Sequence, residues 1–230
     1  MVGTISDWII SLKKEGLEDF AERYHTEKSI DDKRLIDSGL PAFDRMKIGY
    51  HEFTEENVGE FLSEYERFIV RALPAKGRSD LPRRPKIGVK TYEECKKFLN
   101  ELFSGELKGE EDNYNVSLVE IAENKGSGII ISRSNDVLIE IGSCGLMELS
   151  HGADPDLSCR IDLAGIGHIT DKMCWGKGKD EKTVRSVLKY IELTRDNFSP
   201  LFMRGYFEFV ITNKNDIKFW DYKVNDMYLK

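Results

Sequence analysis

Gly205-Tyr-Phe-Glu-Phe-Val-Ile-Thr212 and Ile217-Lys-Phe-Trp-Asp-Tyr-Lys-Val224 flank a polar cluster, Asn213-Lys-Asn-Asp216. Alternating apolar and polar residues on either side of turn formers predict a β-hairpin. If the loop is Lys214-Asn215, or the four residues Asn213–Asp216, Glu208 stands directly opposite Asp221 and Tyr206 opposite Lys223. Opposed side chains have Cβ atoms about 5 Å apart, and like charges there are destabilising. A tolerated carboxylate pair calls for a cation, a shared proton or full solvation. Mg2+ takes oxygen ligands and is commonly held by one or two carboxylates together with substrate phosphates. Two readings follow: Glu208 and Asp221 hold a metal, or both face water on an exposed hairpin. A three- or five-residue loop would break this register.

The strand-rich character extends back to the middle of the chain. Asn115–Ala122, Ser127–Ser132 and Val137–Gly142 read as strands parted by Asn-Lys-Gly and Ser-Asn-Asp turns, with Cys159–Ala164 a further candidate. Trp175-Gly-Lys-Gly-Lys179 reads as a loop, and 181–194 as a helix with Val184, Val187, Leu188 and Ile191 on one face. The earlier half is more helical. Ile5, Trp8, Ile9, Leu12, Leu17 and Phe20 recur at helical spacing, and a short helix is expected around Lys33–Asp37. Thr54-x-x-Asn57 opens a helix carrying Val58, Phe61, Leu62 and Tyr65, and Thr91 with Glu94 forms a capping box before Phe98, Leu99, Leu102 and Phe103. Arg67–Leu73 is a buried strand, and the Pro- and Gly-containing stretch Pro74–Lys90 is expected to be a long loop. The sum is an α+β chain of two lobes with antiparallel sheets and flanking helices, helix-rich over 1–112 and sheet-rich over 113–230, with a hinge near Asp112–Asn115.

Composition narrows the function classes. Lys+Arg number 34 against 41 Asp+Glu, a formal net charge of −7, which argues against a non-specific nucleic-acid binder. No apolar run approaches the roughly 18 residues of a membrane helix. Acidic Asp7 interrupts the N-terminal segment, so a signal peptide is not expected. Cys95, Cys144, Cys159 and Cys174 show no C-x-x-C spacing and are expected to be reduced thiols of a cytoplasmic protein. The spacing of Cys159, His168 and Cys174 fits no zinc pattern. His25, His51, His151 and His168 are scattered and suggest no catalytic set.

Two further features could hold an anion. Arg71 emerges at the end of the Phe68–Val70 run, where it could grip phosphate or form a surface ion pair. The following stretch carries Lys76, Arg78, Arg83, Arg84, Lys86 and Lys90 with Gly77 and Gly88 interleaved, a phosphate-covering loop or a solvated basic one. It has no Gly-Lys-Ser/Thr.

Taken in order, several fragments resemble the nucleotide-binding domain of pyruvate phosphate dikinase and phosphoenolpyruvate synthase, an ATP-grasp fold. Ser38-Gly-Leu-Pro41 resembles that family's Gly-Leu-Pro-Val-Pro. Val70-Arg-Ala72 and Asp80-Leu-Pro82 resemble its Val-Arg-Ser-Ser and Glu-Asp-Leu-Pro. Val119-Glu-Ile121 and Ser127-Gly-Ile129 sit where the family has its adenine-side strand and the Ser-Gly-Val beyond it. Ile139-Glu140, then Gly145-Leu146, Glu148-Leu149, Gly152 and Asp154-Pro155-Asp156, resemble Gly-Leu-Gly-Glu…Gly…Pro-Asp, and Glu208-Phe209 the family's Glu-Phe or Glu-Trp. Asp221-x-Lys223 replaces its Gln-x-Arg, and Ala72-Leu73 its doubled serine.

The resemblance implies an ATP-grasp-like nucleotide-binding protein that transfers phosphoryl from ATP with Mg2+ to an acceptor it does not identify. Arg71, Lys86, Gly88 and Lys223 would meet phosphates, the backbone of Glu120 and Ile121 would read adenine, and Glu208 and Asp221 would hold Mg2+. The alternative is a relative without activity that keeps the fold as a binding or interaction module. No catalytic residue is assigned.

Overall fold

The computed structural model describes residues 34–75, 77–78, 80–150, 153–164, 168–176, 181–194 and 201–224. The helix expected over Ile5–Phe20 lies outside them. The chain divides into two compact units, one with described residues 43–122 and the other with described residues 34–42 and 123–224.

The first unit is a four-stranded antiparallel sheet. Its strands are β1 (Arg45–Gly49), β2 (Phe68–Pro74), β3 (Arg84–Val89) and β4 (Tyr114–Glu120), in the order β1-β4-β2-β3. Helices α1 (Glu55–Glu64) and α2 (Tyr92–Ser104) belong to the same unit. Both start where their caps predict. Thr54 Oγ1 accepts from the Asn57 amide at 3.3 Å and Thr91 Oγ1 from the Glu94 amide at 3.2 Å. Glu94 reaches back to the Lys90 amide at 2.8 Å, one residue before the cap. Phe68, Val70 and Ala72 of β2, Val116 and Leu118 of β4, and Leu99, Leu102 and Phe103 of α2 form the core.

Two features differ from the sequence reading. Three strands lie in the part read as helix-rich, where only Arg67–Leu73 was expected to be one, and Tyr114–Glu120, read as the start of the second lobe, is a central strand of the first sheet. The stretch read as one long loop contains β3. Pro85 is admitted because β3 is an edge strand. Gly88 adopts φ +77° at a bulge, since Phe68 pairs with Val89 but Ile69 with Ile87. Prolines and a glycine masked a strand whose position at the edge makes them tolerable.

The second unit is a six-stranded antiparallel sheet in the order β12-β11-β5-β6-β7-β8. Its strands are β5 (Asn124–Ser132), β6 (Asp136–Gly142), β7 (Leu157–Ala164), β8 (His168–Gly176), β11 (Gly205–Thr212) and β12 (Ile217–Lys223). A short helix α3 (Leu146–Ser150) follows β6, and α4 (Glu181–Ile191) follows β8. The helix expected to run to 194 stops at Ile191. The next residues form β9 (Glu192–Thr194), which pairs with β10 (Leu201–Phe202). Val184, Val187 and Ile191 pack with Ile130, Ile139, Ile161, Phe207, Phe209 and Phe219 in the core. Residues 41–42 lie along β12, where the Phe219 amide donates to Pro41 O at 2.7 Å.

β8 is a further strand that the sequence reading missed, because Asp171, Lys172 and Gly176 interrupt its apolar pattern. It brings Cys174 directly opposite Cys159, and the two form a disulfide. The expectation of four reduced thiols is therefore corrected for this pair. Adjacency across strands, invisible in the spacing along the chain, decides it. Cys95 and Cys144 are free thiols, and burial pushes the Cys95 thiol up to about 12. No described helix is long and apolar enough to cross a membrane.

The class is thus α+β, with one main antiparallel sheet in each unit and flanking helices, as the sequence pattern indicated.

Candidate functional site

The β11–β12 hairpin has a three-residue loop. Ile211 pairs with Ile217, the Thr212 amide donates to Asp216 O at 2.8 Å, and Asn215 takes φ +69°. An odd loop should have separated Glu208 from Asp221. A bulge at Trp220 restores them: Phe209 pairs with Phe219, and Glu208 with Asp221. The expected pairing is reached by a different route, an odd loop compensated by one extra residue.

Tyr206 and Glu208 of β11 and Asp221 and Lys223 of β12 therefore share one face, opposite the Phe207, Phe209 and Phe219 core. Their side chains are interlinked. Lys223 Nζ lies 3.0 Å from Asp221 Oδ2 and 5.3 Å from the Tyr206 ring centroid. The Tyr206 hydroxyl donates to Glu208 Oε1 at 2.8 Å, and the Tyr222 amide donates to Asp221 Oδ1 at 3.1 Å. Asp221 is buried although Glu208 is only half-buried. The solvated reading of the pair does not describe Asp221.

The same face carries a row across the sheet: Asp221, Glu208, Ile129, Glu140, Ser158 and Trp175 on β12, β11, β5, β6, β7 and β8. Glu140 is thus a further carboxylate two strands from Glu208, roughly 10 Å away at ordinary strand spacing. Applying the hairpin pairing rule to β5–β6 would have found it. Farther along this face Asp136, Asp162 and Asp171 are opposed in succession. Arg133 donates to Asp136 at 2.6 Å and 2.9 Å, and Arg160 to Asp162 at 2.8 Å. These arginines balance Asp136 and Asp162 locally. Among the described residues no group of three or more His, Cys, Asp or Glu is placed to hold a metal ion. Glu208 and Asp221 offer oxygen donors from two carboxylates, which fits a Mg2+ ion completed by substrate phosphates and not an all-protein cage.

In the first unit, Arg71 on β2 is opposite Pro85 and Ser117, whereas Lys86 is opposite Val70 and therefore on the other face. Lys86 Nζ stands 5.9 Å from the Phe98 ring centroid of α2. Arg71 and Lys86 do not share a face. Two further cations of the basic stretch, Arg78 and Arg84, have carboxylate partners. Arg78 donates to both oxygens of Asp80 at 3.0 Å and to Glu110 at 3.2 Å, and Arg84 bonds Glu106. Glu120 ends β4, with its amide on Asp44 O at 2.9 Å and its Oε2 accepting from the Asp44 amide at 3.2 Å. The Ile121 amide donates to Arg67 O at 3.0 Å. Both amides are committed within the unit.

No protein-family profile and no curated protein matches this chain. It is similar to solved structures. D-alanine–D-alanine ligase from Coxiella burnetii is 14% identical over 86% of this chain and 47% of its own, with a TM-score of 0.41. N5-carboxyaminoimidazole synthase from Aspergillus clavatus, in complex with ADP and 5-aminoimidazole ribonucleotide, is 11% identical over 88% of this chain and 45% of its own, with a TM-score of 0.44. The ATP-grasp ligase PsnB, complexed with minimal precursor, is 10% identical over 84% of this chain and 51% of its own, with a TM-score of 0.36. The chain spans about half the length of these structures.

Proposed function

We propose that this protein is an ATP-grasp-like nucleotide-binding protein in which Glu208 and Asp221 hold Mg2+ against the phosphates of ATP. The observation that carries this reading is the carboxylate pair on one face of β11–β12, with Lys223 beside it. The ordered fragments resembling the pyruvate phosphate dikinase and phosphoenolpyruvate synthase nucleotide domain support it. The reaction class is phosphoryl transfer: the bond from the γ-phosphorus to its bridging oxygen breaks as a bond to an acceptor oxygen forms. Catalysis of that kind rests on positioning and charge neutralisation. Bound Mg2+ would supply charge neutralisation at the phosphates, and Lys223 would add a cation. In the first unit the reading assigns Arg71 and Gly88 to phosphate and the carbonyl side of Glu120 and Ile121 to the base. Lys86, on the other face from Arg71, is left out.

A second reading, a binding module without catalysis, is favoured by the Lys223 ammonium already on Asp221, which neutralises the buried carboxylate without a metal. Calorimetry of ATP and ADP with and without Mg2+ separates the two. The proposal expects Mg2+-dependent nucleotide binding that Asp221→Asn weakens about tenfold or more and Arg71→Ala weakens with Mg2+ present. Binding that ignores both Mg2+ and Asp221→Asn favours the module, and absence of nucleotide binding rejects the proposal.

A further inference from the structure

Asp221 has a side chain only 2% exposed, and its Oδ2 is 3.0 Å from the ammonium of Lys223, whose side chain is 37% exposed. Residues 221 and 223 lie on one strand and one face, so the lysine stem lies along the sheet beside the aspartate. The opposed Glu208 is tied by the Tyr206 hydroxyl, and the ammonium also faces the Tyr206 ring. The ammonium sits on Asp221 Oδ2, an oxygen that a divalent cation held by this pair would take. Two cations on one carboxylate oxygen repel, so metal and ammonium compete.

We infer that Lys223 is a tethered cation that holds Asp221 in the metal-free protein and is displaced when a divalent cation binds Glu208 and Asp221. The inference rests on the reading of that pair as a divalent-cation site. Its physical basis is the flexible four-carbon stem of lysine, which lets the ammonium leave Asp221 with the backbone fixed. The exposed side of Lys223 gives it somewhere to go, and the phosphates of a bound nucleotide would receive it. Metal alone must then bind a state in which Asp221 is released. Apparent affinity falls by the fraction of time that state is populated. A lysine closed on Asp221 nine-tenths of the time weakens metal binding about tenfold. Nucleotide, by taking up the displaced ammonium, should strengthen metal binding more in the wild type than in a protein without that charge.

The test is Mn2+ binding to the full chain without nucleotide, by electron paramagnetic resonance or calorimetry, in the wild type, Lys223→Met and Lys223→Arg. Lys223→Met keeps an unbranched apolar stem and removes the charge. It should bind Mn2+ about tenfold more tightly than the wild type, while Lys223→Arg stays close to the wild type. Adding Asp221→Asn to Lys223→Met should abolish the gain, which places the bound Mn2+ at Asp221. Metal-free Lys223→Met should melt at a lower temperature than the wild type, and Asp221→Asn should remove most of that difference. If Lys223→Met does not melt cooperatively, Lys223→Gln serves in the same comparison. Mn2+ binding to the Met variant alone supports the inference. Equal or weaker binding in that variant overturns the exchange and leaves the cation site standing. No Mn2+ binding in any variant rejects the cation site and the exchange together.

Discussion

A methyl group at position 128 would lie 2.1 Å from Cζ of Phe209 and 2.8 Å from the Glu140 carbonyl oxygen. Gly128 and Phe209 are directly opposed on β5 and β11, and the ring lies over the glycine. This contact fills the core behind the carboxylate face. Gly128→Ala should therefore cost about 3 kcal/mol or more, at the upper end for overpacked sites, as measured by urea unfolding. A loss under about 1 kcal/mol would mean that the ring can move aside. Tyr114 is a second informative residue. It is buried, and its hydroxyl donates to Pro82 O at 2.7 Å, tying the segment before β3 to β4. Burial raises its pKa above the usual tyrosine value, and burial also raises those of Cys95 and Tyr222. Raised folded-state values mean that the unfolded chain loses these protons first. The associated stability is complete below about pH 8 and falls as pH rises through the ordinary thiol and phenol range and beyond. Thermal melts from pH 7 to 11 should decline at the alkaline end. Tyr114→Phe should start about 1–2 kcal/mol lower at pH 7, from the buried carbonyl it leaves without that donor, and decline less steeply. A parallel decline would remove Tyr114 from the account.

At the scale of elements, the disulfide joins the edge strand β8 to β7 across a sequence separation of 15. In the chain-entropy view a loop of that length is worth about 3 kcal/mol. Reduction, or Cys159→Ser, should lower the melting temperature, and thiol titration of the unreduced, denatured protein should find two thiols, rising to four after reduction. Four thiols before reduction would remove the crosslink. This element also shows what was legible in the sequence. Helices announced by side-chain caps, at Thr54 and Thr91, were readable because their signal is local. Buried strands with a strong apolar run, such as Phe68–Val70 in β2, were readable for the same reason. β3 and β8 were not, because a proline in one and a charged pair in the other are acceptable only at a sheet edge, and edge position is a property of the assembled sheet. The Cys159–Cys174 pairing depends on the same information. In the candidate site, the opposition of Glu208 and Asp221 was readable from the pattern, but the odd loop and the Trp220 bulge that produce it were not. The Lys223 and Tyr206 contacts follow from the pairing once it exists.

At the scale of the whole molecule, the chain holds two separate hydrophobic cores. One is built on Phe68, Val70 and Leu118, and the other on Phe207, Phe209 and Ile139. The chain passes between the units at 42–43 and again at 122–123. Two cores need not unfold as one cooperative block, and chains of this size often do not. Trp175 and Trp220 lie in the second unit, while Trp8 is outside the described residues. In a Trp8→Phe variant, tryptophan fluorescence therefore reports the second unit, and far-ultraviolet circular dichroism reports both. Urea titrations followed by the two signals should give transitions that do not coincide. The proposed cation pair is entirely in the second unit, so ligand should act first on the fluorescence transition. With Mg2+ and ADP at about 100 times the dissociation constant, mass action adds roughly 2.7 kcal/mol to whatever unfolds with the site. The fluorescence midpoint should move up by that free energy divided by the urea dependence of the transition, and Asp221→Asn should cancel most of the shift. If ligand moves both signals equally, nucleotide binding is linked to the folding of both units. If it moves only the part of the dichroism change that fluorescence does not follow, the nucleotide is held by the first unit, and the assignment of its metal to Glu208 and Asp221 fails.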